Sequence, residues 1–370
     1  MELINSTKML AAYTMGMDSD GRESLVVAVK GTFTIPDKGG EPFLREEQEP
    51  LIEADVYSGD PGLSAPVYET DYAPFKPRCD VVLNGSAYAP QGKPAIKVPV
   101  SLRMGSISKV FNVIGNRCWE NTLSAIAATP PAPFMRMPIS YNCAFGGTDN
   151  SHRDHRYHRA FMENPVGVGF HVNLEGNVIN GKPLPNTEQI GETNTRPDGS
   201  SRPMSFGVVG RGWEPRHRLA GTYDQKWAAN VFPFLPSDFN DAYFQCSPAD
   251  QQMGYLAGGE IVELINLTPL GRTVFQIPRM EVPVVFFRKM RGMHETRAVA
   301  DTLVLEPDNN RFMITWRACL PLKKNMFEIP QVLVGSMSRA WWRARELGKT
   351  YYSSLEELCK ANRRDSKEDF

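Results

Sequence analysis

The stretch 95-AIKVPVSLRM-104 decides the fold class, because apolar residues occupy every second position in it. The apolar positions are Ile96, Val98, Val100 and Leu102, and the intervening ones are Lys97, Pro99, Ser101 and Arg103. A period of two is typical of a half-buried β-strand, whose side chains point alternately to opposite faces. Pro99 lacks a backbone N–H, which indicates a sheet edge or a bulge at that point.

Further strand-like stretches lie on both sides of this one. They are residues 24–35, 79–88, 109–114, 260–267, 273–277, 282–287, 302–305 and 311–318. Strands therefore recur at both ends of the chain with few helices between them, which excludes alternating α/β architecture. The pattern predicts a mainly β protein with an antiparallel β-sandwich or barrel-like core, long irregular loops and a short helical C-terminus.

The C-terminal part of the chain has the only helical character. Residues 338–347 (SRAWWRAREL) are followed by Gly348, and a second helix is expected over 353–362. Trp341 and Trp342 are adjacent, so on a helix they point about 100° apart. We expect either that one of them is exposed or at an interface, or that both fill a wide groove.

The chain is predicted to form one large β-rich domain over residues 1–336, followed by a helical segment and tail at 337–370. Its strand-rich parts, about 20–145 and 255–320, are joined by a loop-rich segment at 146–254, with a short hairpin predicted at 170–178. No flexible linker separates the two strand-rich parts.

Residues 213–252, WEPRHRLAGTYDQKWAANVFPFLPSDFNDAYFQCSPADQQ, form the most aromatic part of that segment, which we call the strap. Its prolines exclude one long helix, and its aromatic content argues against disorder. The composition predicts an ordered irregular segment whose rings pack into the surrounding core.

Composition and charge exclude several partner classes. The net charge of the 370 residues is −1, which gives no electrostatic reason to bind nucleic acid or anionic lipid. The six cysteines are scattered without a C-x-x-C pair, which is typical of a reduced, cytoplasmic protein. Neither a signal-peptide pattern nor a membrane-length apolar run of about 18 residues occurs, so no membrane association is expected.

The sequence 151-SHRDHRYHRA-160 is the strongest candidate for chemistry. His152, His155 and His158 recur every third residue, and on a helix they would share a face suited to zinc. Three arginines in the same run oppose a cation and favour a solvated polar loop. Gly167-Val168-Gly169 lacks the remainder of a dinucleotide fingerprint, and no nucleophile elbow or P-loop occurs. We therefore predict no catalytic residue, no metal and no cofactor, with a metal-dependent enzyme built on the three histidines as the alternative.

An ordered set of short motifs resembles one bacterial family, over roughly residues 25 to 320. The motifs outside the strap are 29–33 (VKGTF), 71–77 (DYAPFKP), 80–85 (DVVLNG), 115–119 (GNRCW), 141–147 (YNCAFGG), 164–170 (NPVGVGF), 301–303 (DTL) and 316–317 (WR). The strap carries the best match, through Trp213, Arg216, 220–224 (AGTYD), Trp227, 235–239 (LPSDF) and 250–252 (DQQ). The family it resembles is catalogued as a domain of unknown function and is encoded beside type VI secretion genes.

The resemblance implies a cytoplasmic, non-enzymatic adaptor or chaperone. Such a protein would bind a toxin effector and help to load it onto the secretion spike, whose tip carries a PAAR-type domain. The residues assigned to motif or partner-binding roles are Trp213, Arg216, Tyr223, Trp227, Asp238, Phe239, Asp250, Gln251, Trp341 and Trp342. A further alternative, supported by the aromatic-rich loops, is a β-rich module that binds carbohydrate or peptide.

Overall fold

Two β-sheets form the framework of the protein in a computed structural model. Strands account for 37% of residues against 14% in helices, and the larger sheet curls into a half-barrel. The predicted mainly β class is therefore confirmed. The structure describes residues 1–18, 20–36, 39–122, 126–193, 197–198, 200–289, 292–352, 354–356 and 358–359.

The strands lie throughout the chain. Those of the N-terminal half are β1 (Glu2–Asn5), β2 (Leu10–Met17), β3 (Glu23–Thr34), β4 (Val56–Tyr57), β5 (Pro66–Tyr68), β6 (Cys79–Leu83), β7 (Gly85–Tyr88), β8 (Lys97–Met104), β9 (Ile107–Ile114), β10 (Trp119–Asn121), β11 (Ile126–Ala128), β12 (Arg136–Ile139), β13 (Phe145–Gly146), β14 (Thr148–Asp149), β15 (Arg159–Ala160) and β16 (Val168–Gly169). Those that follow are β17 (Thr187–Gln189), β18 (Gln252–Met253), β19 (Ile261–Ile265), β20 (Arg272–Gln276), β21 (Val282–Phe287), β22 (Met293–Glu306), β23 (Arg311–Pro321) and β24 (Gln331–Val334).

Helices are short. The α-helices are α1 (Gly176–Ile179), α2 (Gln225–Asn230) and α3 (Arg339–Glu346). Single 3₁₀ turns lie at Pro90–Gly92, Tyr141–Cys143, His155–Tyr157, His217–Leu219, Asp241–Phe244, Ala249–Gln251, Pro307–Asn309 and Met326–Glu328. Within the described part of the chain, no helix has the length and apolar character needed to cross a membrane.

The larger sheet has nine strands and joins both ends of the chain. Its path runs β1-β24-β21-β22-β23-β3-β2, and β6 pairs with the second half of β22 and with β18. Most neighbours are antiparallel, whereas β1 with β24 and β6 with β22 are parallel. The smaller sheet has five strands in the order β17-β9-β8-β19-β20.

The core lies between the two sheets, and one stack of aromatic rings connects them. Phe275 of β20 stacks on Phe312 of β23 with ring centroids 5.3 Å apart, and Phe312 stacks on Phe33 of β3 at the same distance. All three rings are almost fully buried. Face-to-face packing of this kind confirms the predicted sandwich-like core.

Pro99 lies in β8, which is an interior strand of the smaller sheet. The pairing of β8 with β19 covers only Ser101–Met104, so β8 extends beyond its neighbour at Pro99. The carbonyl of Pro99 instead accepts a hydrogen bond of 2.8 Å from the Asn266 side chain. The strand is thus locally an edge at the proline, although it is central elsewhere.

Four strands of the larger sheet, β1, β2, β18 and β24, were not predicted. β2 reads LAAYTMGM and is poor in β-branched residues, so its extended conformation comes from eight residues of pairing with β3. The hairpin predicted at 170–178 is wrong, because the chain there has no paired strands and begins α1 at Gly176. The predicted helix at 338–347 is confirmed as α3. The second predicted helix, at 353–362, lies largely outside the described residues.

Candidate functional site

A buried carboxylate, Asp80, anchors one end of the strap to the larger sheet. Its two oxygens accept hydrogen bonds from Lys76 Nζ (2.7 Å), Gln245 Nε2 (2.8 Å) and the Cys246 amide (2.9 Å). They also accept bonds from the amide (3.1 Å) and hydroxyl (2.7 Å) of Ser247. Because Asp80 belongs to β6, this hub fixes residues 245–247 to the framework.

Lys76 and Asp80 each stabilise the ionised form of the other. Burial alone would raise the pKa of Asp80, but Lys76 and the hydrogen bonds outweigh burial and lower that pKa below its ordinary value. Burial alone would lower the pKa of Lys76, and the facing carboxylate raises it instead. The pair is therefore ionised at neutral pH. Both side chains are buried, and both oxygens of Asp80 already accept hydrogen bonds from the protein, so the pair is not available to a substrate.

A second buried network joins motif residues that are far apart in sequence. Asp71 accepts hydrogen bonds from Lys30 Nζ and from Thr315 Oγ1, both at 2.9 Å. Arg317 Nη2 donates to the Asp71 carbonyl at 2.7 Å, and the same guanidinium pairs with Asp301. Strands β3, β22 and β23 are thereby tied to the loop that carries Asp71. These four charged motif residues, Lys30, Asp71, Asp301 and Arg317, therefore tie elements of the framework together.

Arg216 and Trp213 hold the first turn of the strap. Arg216 is 4% exposed and donates to the carbonyls of Val209 and Tyr243, each at 2.7 Å, and to Glu69 at 2.8 Å. Trp213 is buried, with its ring edge-on to Tyr141 at 5.3 Å. Both motif residues are parts of the scaffold and have little surface left for a partner.

Gln251 and Asp250 lie at the other end of the strap, beside a groove of about 630 Å³. Gln251 is fully buried and donates to the carbonyls of Val81 (2.7 Å) and Phe206 (3.0 Å). Lys109 Nζ bridges Gln251 Oε1 (2.8 Å) and Asp250 Oδ1 (3.0 Å) at the groove wall. Burial lowers the pKa of Lys109, and Asp250 only partly offsets it.

That groove has mixed charge. Its charged lining residues are Lys109, Glu163, Arg202, Glu214, Arg216 and Asp250. Arg216 and Lys109 are already satisfied by protein acceptors, and the signs balance. Such a lining favours no particular ion, and its Ser247 hydroxyl is buried and donates to the Asp80 carboxylate.

The glycine-rich motifs at 144–147 and 164–169 pack against each other. Gly146 pairs with Gly169, and a Cβ on Gly146 would lie only 2.1 Å from the Asn164 carbonyl oxygen. The Asn164 side chain donates to the carbonyls of Tyr141 (2.8 Å) and Phe145 (3.0 Å). These glycines are required for close backbone contact, which leaves no space for an anion between them.

The middle of the strap, residues 222–238, leaves the framework and forms what we call the aromatic projection. Tyr223, Phe232 and Phe234 are 53%, 67% and 45% exposed, and Trp227 is half-buried between Tyr223 and Phe232. The expectation that the strap's rings pack into the core is therefore wrong for this part. The two ends of the strap are hydrogen-bonded to the framework through Arg216 and Gln251, whereas the rings of the projection pack mainly on one another.

A narrow neck closes the base of the projection. Asp238 accepts hydrogen bonds from the amide (2.9 Å) and the hydroxyl (2.7 Å) of Thr222, and the Asn240 amide donates to the Leu219 carbonyl at 3.0 Å. Phe239 lies just below, between the rings of Tyr243 and Phe244. Compact loops whose ends meet in this way are frequently functional.

Internal bonds make the projection rigid. Asp224 caps α2 by accepting from the Trp227 amide at 2.8 Å, and Trp227 Nε1 donates to the Phe234 carbonyl at 2.9 Å. The Phe234 ring packs over Gly21 in the β2–β3 turn, where an added Cβ would be 2.6 Å from the ring. The exposed rings are thus held in one arrangement, which is what a preformed contact surface requires.

The three histidines do not form a ligand set. His155 begins a 3₁₀ turn, His158 Nε2 lies 2.9 Å from the His152 carbonyl oxygen, and His152 Nδ1 accepts the Asp154 amide at 3.0 Å. Asp154 is engaged by Arg156 in a bidentate pair. Across the described ranges, no three His, Cys, Asp or Glu side chains converge on a position that could hold a metal ion.

Trp341 and Trp342 both contact the sheet. Trp341 is 9% exposed and Trp342 half-buried, and their rings lie 6.3 and 5.9 Å from that of Phe287. Arg345 places its guanidinium 3.5 Å above the same ring. Of the two expectations for these tryptophans, the contacts favour the one in which both rings fill a wide groove. They also fix α3 to the outer face of β21.

The sequence motifs contain most of the residues of the buried networks and of the strap, but they do not indicate what each residue does. Lys76 and Asp80 lie within the quoted motifs, yet their pairing depends on Gln245 and Ser247, which are far away in sequence. Phe232 and Phe234 were not selected, because aromatic residues in a loop indicate burial as readily as exposure.

Comparison with curated proteins and with solved structures finds no match. The sequence profile of a family described as an uncharacterized protein conserved in bacteria (DUF2169) matches residues 20–317. That range contains the buried charge networks, the glycine contacts, the strap and most of both sheets. The chain belongs to the DUF2169 family of bacterial proteins.

Proposed function

We propose that the protein is a non-enzymatic adaptor that holds a toxin effector of a type VI secretion system through the aromatic projection. In this role it helps to load the effector onto the PAAR-tipped spike. The resemblance of the motifs supports the secretion context, and the exposed rings of the aromatic projection support the choice of contact surface.

The exposure of the aromatic projection is the observation that carries this proposal. Tyr223, Phe232 and Phe234 present large exposed apolar surfaces on one loop whose two ends meet at Thr222 and Asp238. Clustered exposed aromatic residues mark protein interaction sites, and Tyr and Trp are enriched among the residues that dominate binding energy.

Rigidity supports the same conclusion. The neck at Thr222 and Asp238 and the internal bond from Trp227 order the segment before any partner arrives. The projection then loses less conformational entropy on binding than a loose loop would. The motif residues below the neck act indirectly, by fixing the ends of the strap.

The proposal is tested by co-purification of the tagged protein with the product of the neighbouring effector gene. We expect the wild-type protein to retain the effector. The double variant Tyr223→Ala, Phe232→Ala should weaken binding by at least about thirtyfold, because each truncated anchor contributes about 1–2 kcal/mol and every 1.4 kcal/mol is a factor of ten.

Phe327→Ala is the matched control, since Phe327 is 66% exposed and lies outside the strap. It should bind the effector as the wild type does. Absence of any complex with the wild-type protein, or equal binding by the double variant, would contradict the proposal. Thermal unfolding of all variants should coincide, because the truncated rings are exposed.

A further inference from the structure

Strand β20 is the outermost strand of the smaller sheet. In the parts of the chain that the structure describes, it pairs with β19 and has no strand on its other side. Its residues, Arg272–Gln276 (RTVFQ), include no Pro, and the one charged side chain among them, Arg272, pairs with Glu263 of the neighbouring β19. The strand is therefore open to pairing along its outer side.

Hydrogen bonding shows which backbone groups face outward. The Ile277 amide donates to the Glu260 carbonyl at 2.9 Å, and the Ile277 carbonyl accepts from the Gly259 amide at 2.8 Å. Because bonding direction alternates along an antiparallel pair, Thr273 and Phe275 also face β19. The N–H and C=O groups of Val274 and Gln276 therefore point away from the sheet.

A groove runs along this open edge. Its volume is about 870 Å³, and it lies between β20 with residues 277–279 on one side and residues 39–42 on the other. Ile261, which is 60% exposed, supplies an apolar surface within it. A five-residue strand occupies about 800 Å³, if its length is multiplied by the distance between neighbouring strands and by the distance between packed sheets. The groove thus has room for one added strand.

We infer that this groove binds an extended segment of the effector, which adds to β20 as a sixth strand. This inference rests on the proposed function, because it identifies a second contact on the same partner. Backbone hydrogen bonds to Val274 and Gln276 would give the affinity, and residues 39–42 would contact the bound segment from the opposite wall of the groove.

A second copy of this chain does not fit the site as well. Edge-to-edge pairing over five residues covers only about 170 Å² on each side, from the length and thickness of the strand. Stable dimers bury about 1,200 Å² or more in total. A single segment enclosed between β20 and residues 39–42 gains contacts on several sides, which edge-to-edge pairing lacks.

Hydrogen exchange, resolved to single residues by mass spectrometry, tests the inference on the protein alone and on its complex with the neighbouring gene's effector. In the complex, we expect the amides of Val274 and Gln276 to exchange at least about tenfold more slowly. The Thr273 and Phe275 amides, bonded to β19, should be slow in both samples. A complex in which the Val274 and Gln276 amides are unchanged would overturn the inference and leave the adaptor function standing.

Two substitutions at one position provide an independent measurement. Val274→Pro removes only an outward-facing N–H, which an edge strand tolerates, and should weaken effector binding at least about tenfold. Val274→Thr keeps the N–H and should bind like the wild type. Equal binding by Val274→Pro would overturn the inference, and failure of the wild-type protein to bind the effector would overturn both proposals.

Discussion

Lys76 Nζ lies 2.7 Å from Asp80 Oδ2, and the two side chains are only 2% and 0% exposed. A charge pair buried this deeply depends on both partners, because either one alone is left without solvation. The strap depends on the pair as well, since Gln245, Cys246 and Ser247 bond to the same carboxylate.

Asp80→Asn should lower the free energy of unfolding by about 3–5 kcal/mol, because it leaves the Lys76 ammonium buried without its counter-charge. Chemical denaturation followed by tryptophan fluorescence measures this loss. Glu346→Gln, which breaks an exposed pair with Arg343, is the control and should change stability by less than about 0.5 kcal/mol. A similar effect of the two substitutions would show that the buried pair contributes little.

The stability difference between wild type and Asp80→Asn should depend on pH on the acid side. The pKa of Asp80 is lowered in the folded protein, so its contribution is complete above the unfolded pKa of about 3.9 and is lost as pH falls through the folded pKa. We expect the difference to be larger at pH 6 than at pH 3. Denaturation midpoints of both proteins across this range measure it, and a difference that widens with acidity would contradict the prediction.

Gly146→Ala should destabilise the protein by about 3 kcal/mol or more, through close contact and a disfavoured backbone angle. The φ of Gly146 is +146°, and the added Cβ would lie 2.1 Å from the Asn164 carbonyl oxygen. Gly212→Ala is the control, because a Cβ there meets no atom within 4 Å. Denaturation midpoints compare the two, and equal midpoints would show that the glycine contact is dispensable.

Asp238→Ala should open the neck of the aromatic projection without unfolding the framework, because it removes both bonds to Thr222. Limited proteolysis should then cut within residues 222–238 on the order of tenfold faster, while the global unfolding midpoint stays unchanged. Lys226→Ala changes an exposed side chain of the same projection without removing either bond between Thr222 and Asp238, and it should be cut at the wild-type rate by chymotrypsin. Unchanged cleavage of Asp238→Ala would mean that other contacts close the loop.

Sequence patterns were sufficient to predict the fold class and most long strands. Alternating apolar residues mark β8 and β23, β-branched and aromatic residues mark β20 and β21, and the structure places strands at each of them. β2 was missed because its residues have little intrinsic strand preference and depend on β3 for pairing. The order of strands in the sheets depends on contacts between distant residues, such as Phe275 with Phe312, which no local pattern encodes.

The candidate site was predictable as a segment, and the roles of its residues were not. The sequence singled out the strap, but burial separates Arg216 and Gln251 from Tyr223, although all three lie in one continuous motif region. The local sequence does not determine which rings become buried. That depends on the positions at which Asp80 and Asp238 hydrogen-bond to distant parts of the strap. The three histidines have a spacing that would place them on one face of a helix. The chain there forms a loop with a single 3₁₀ turn, so they do not share such a face.

The chain enters and leaves the aromatic projection at adjacent points, where Leu219 bonds to Asn240 and Thr222 to Asp238. A loop of different length and sequence can close on the same neck at a small entropic cost, since that cost grows only slowly with loop length. Under the proposed adaptor function, exchange of residues 223–237 between homologues would transfer the choice of effector while the sheets and their buried charges stay as they are. One framework would then bind a different effector with no change in its core.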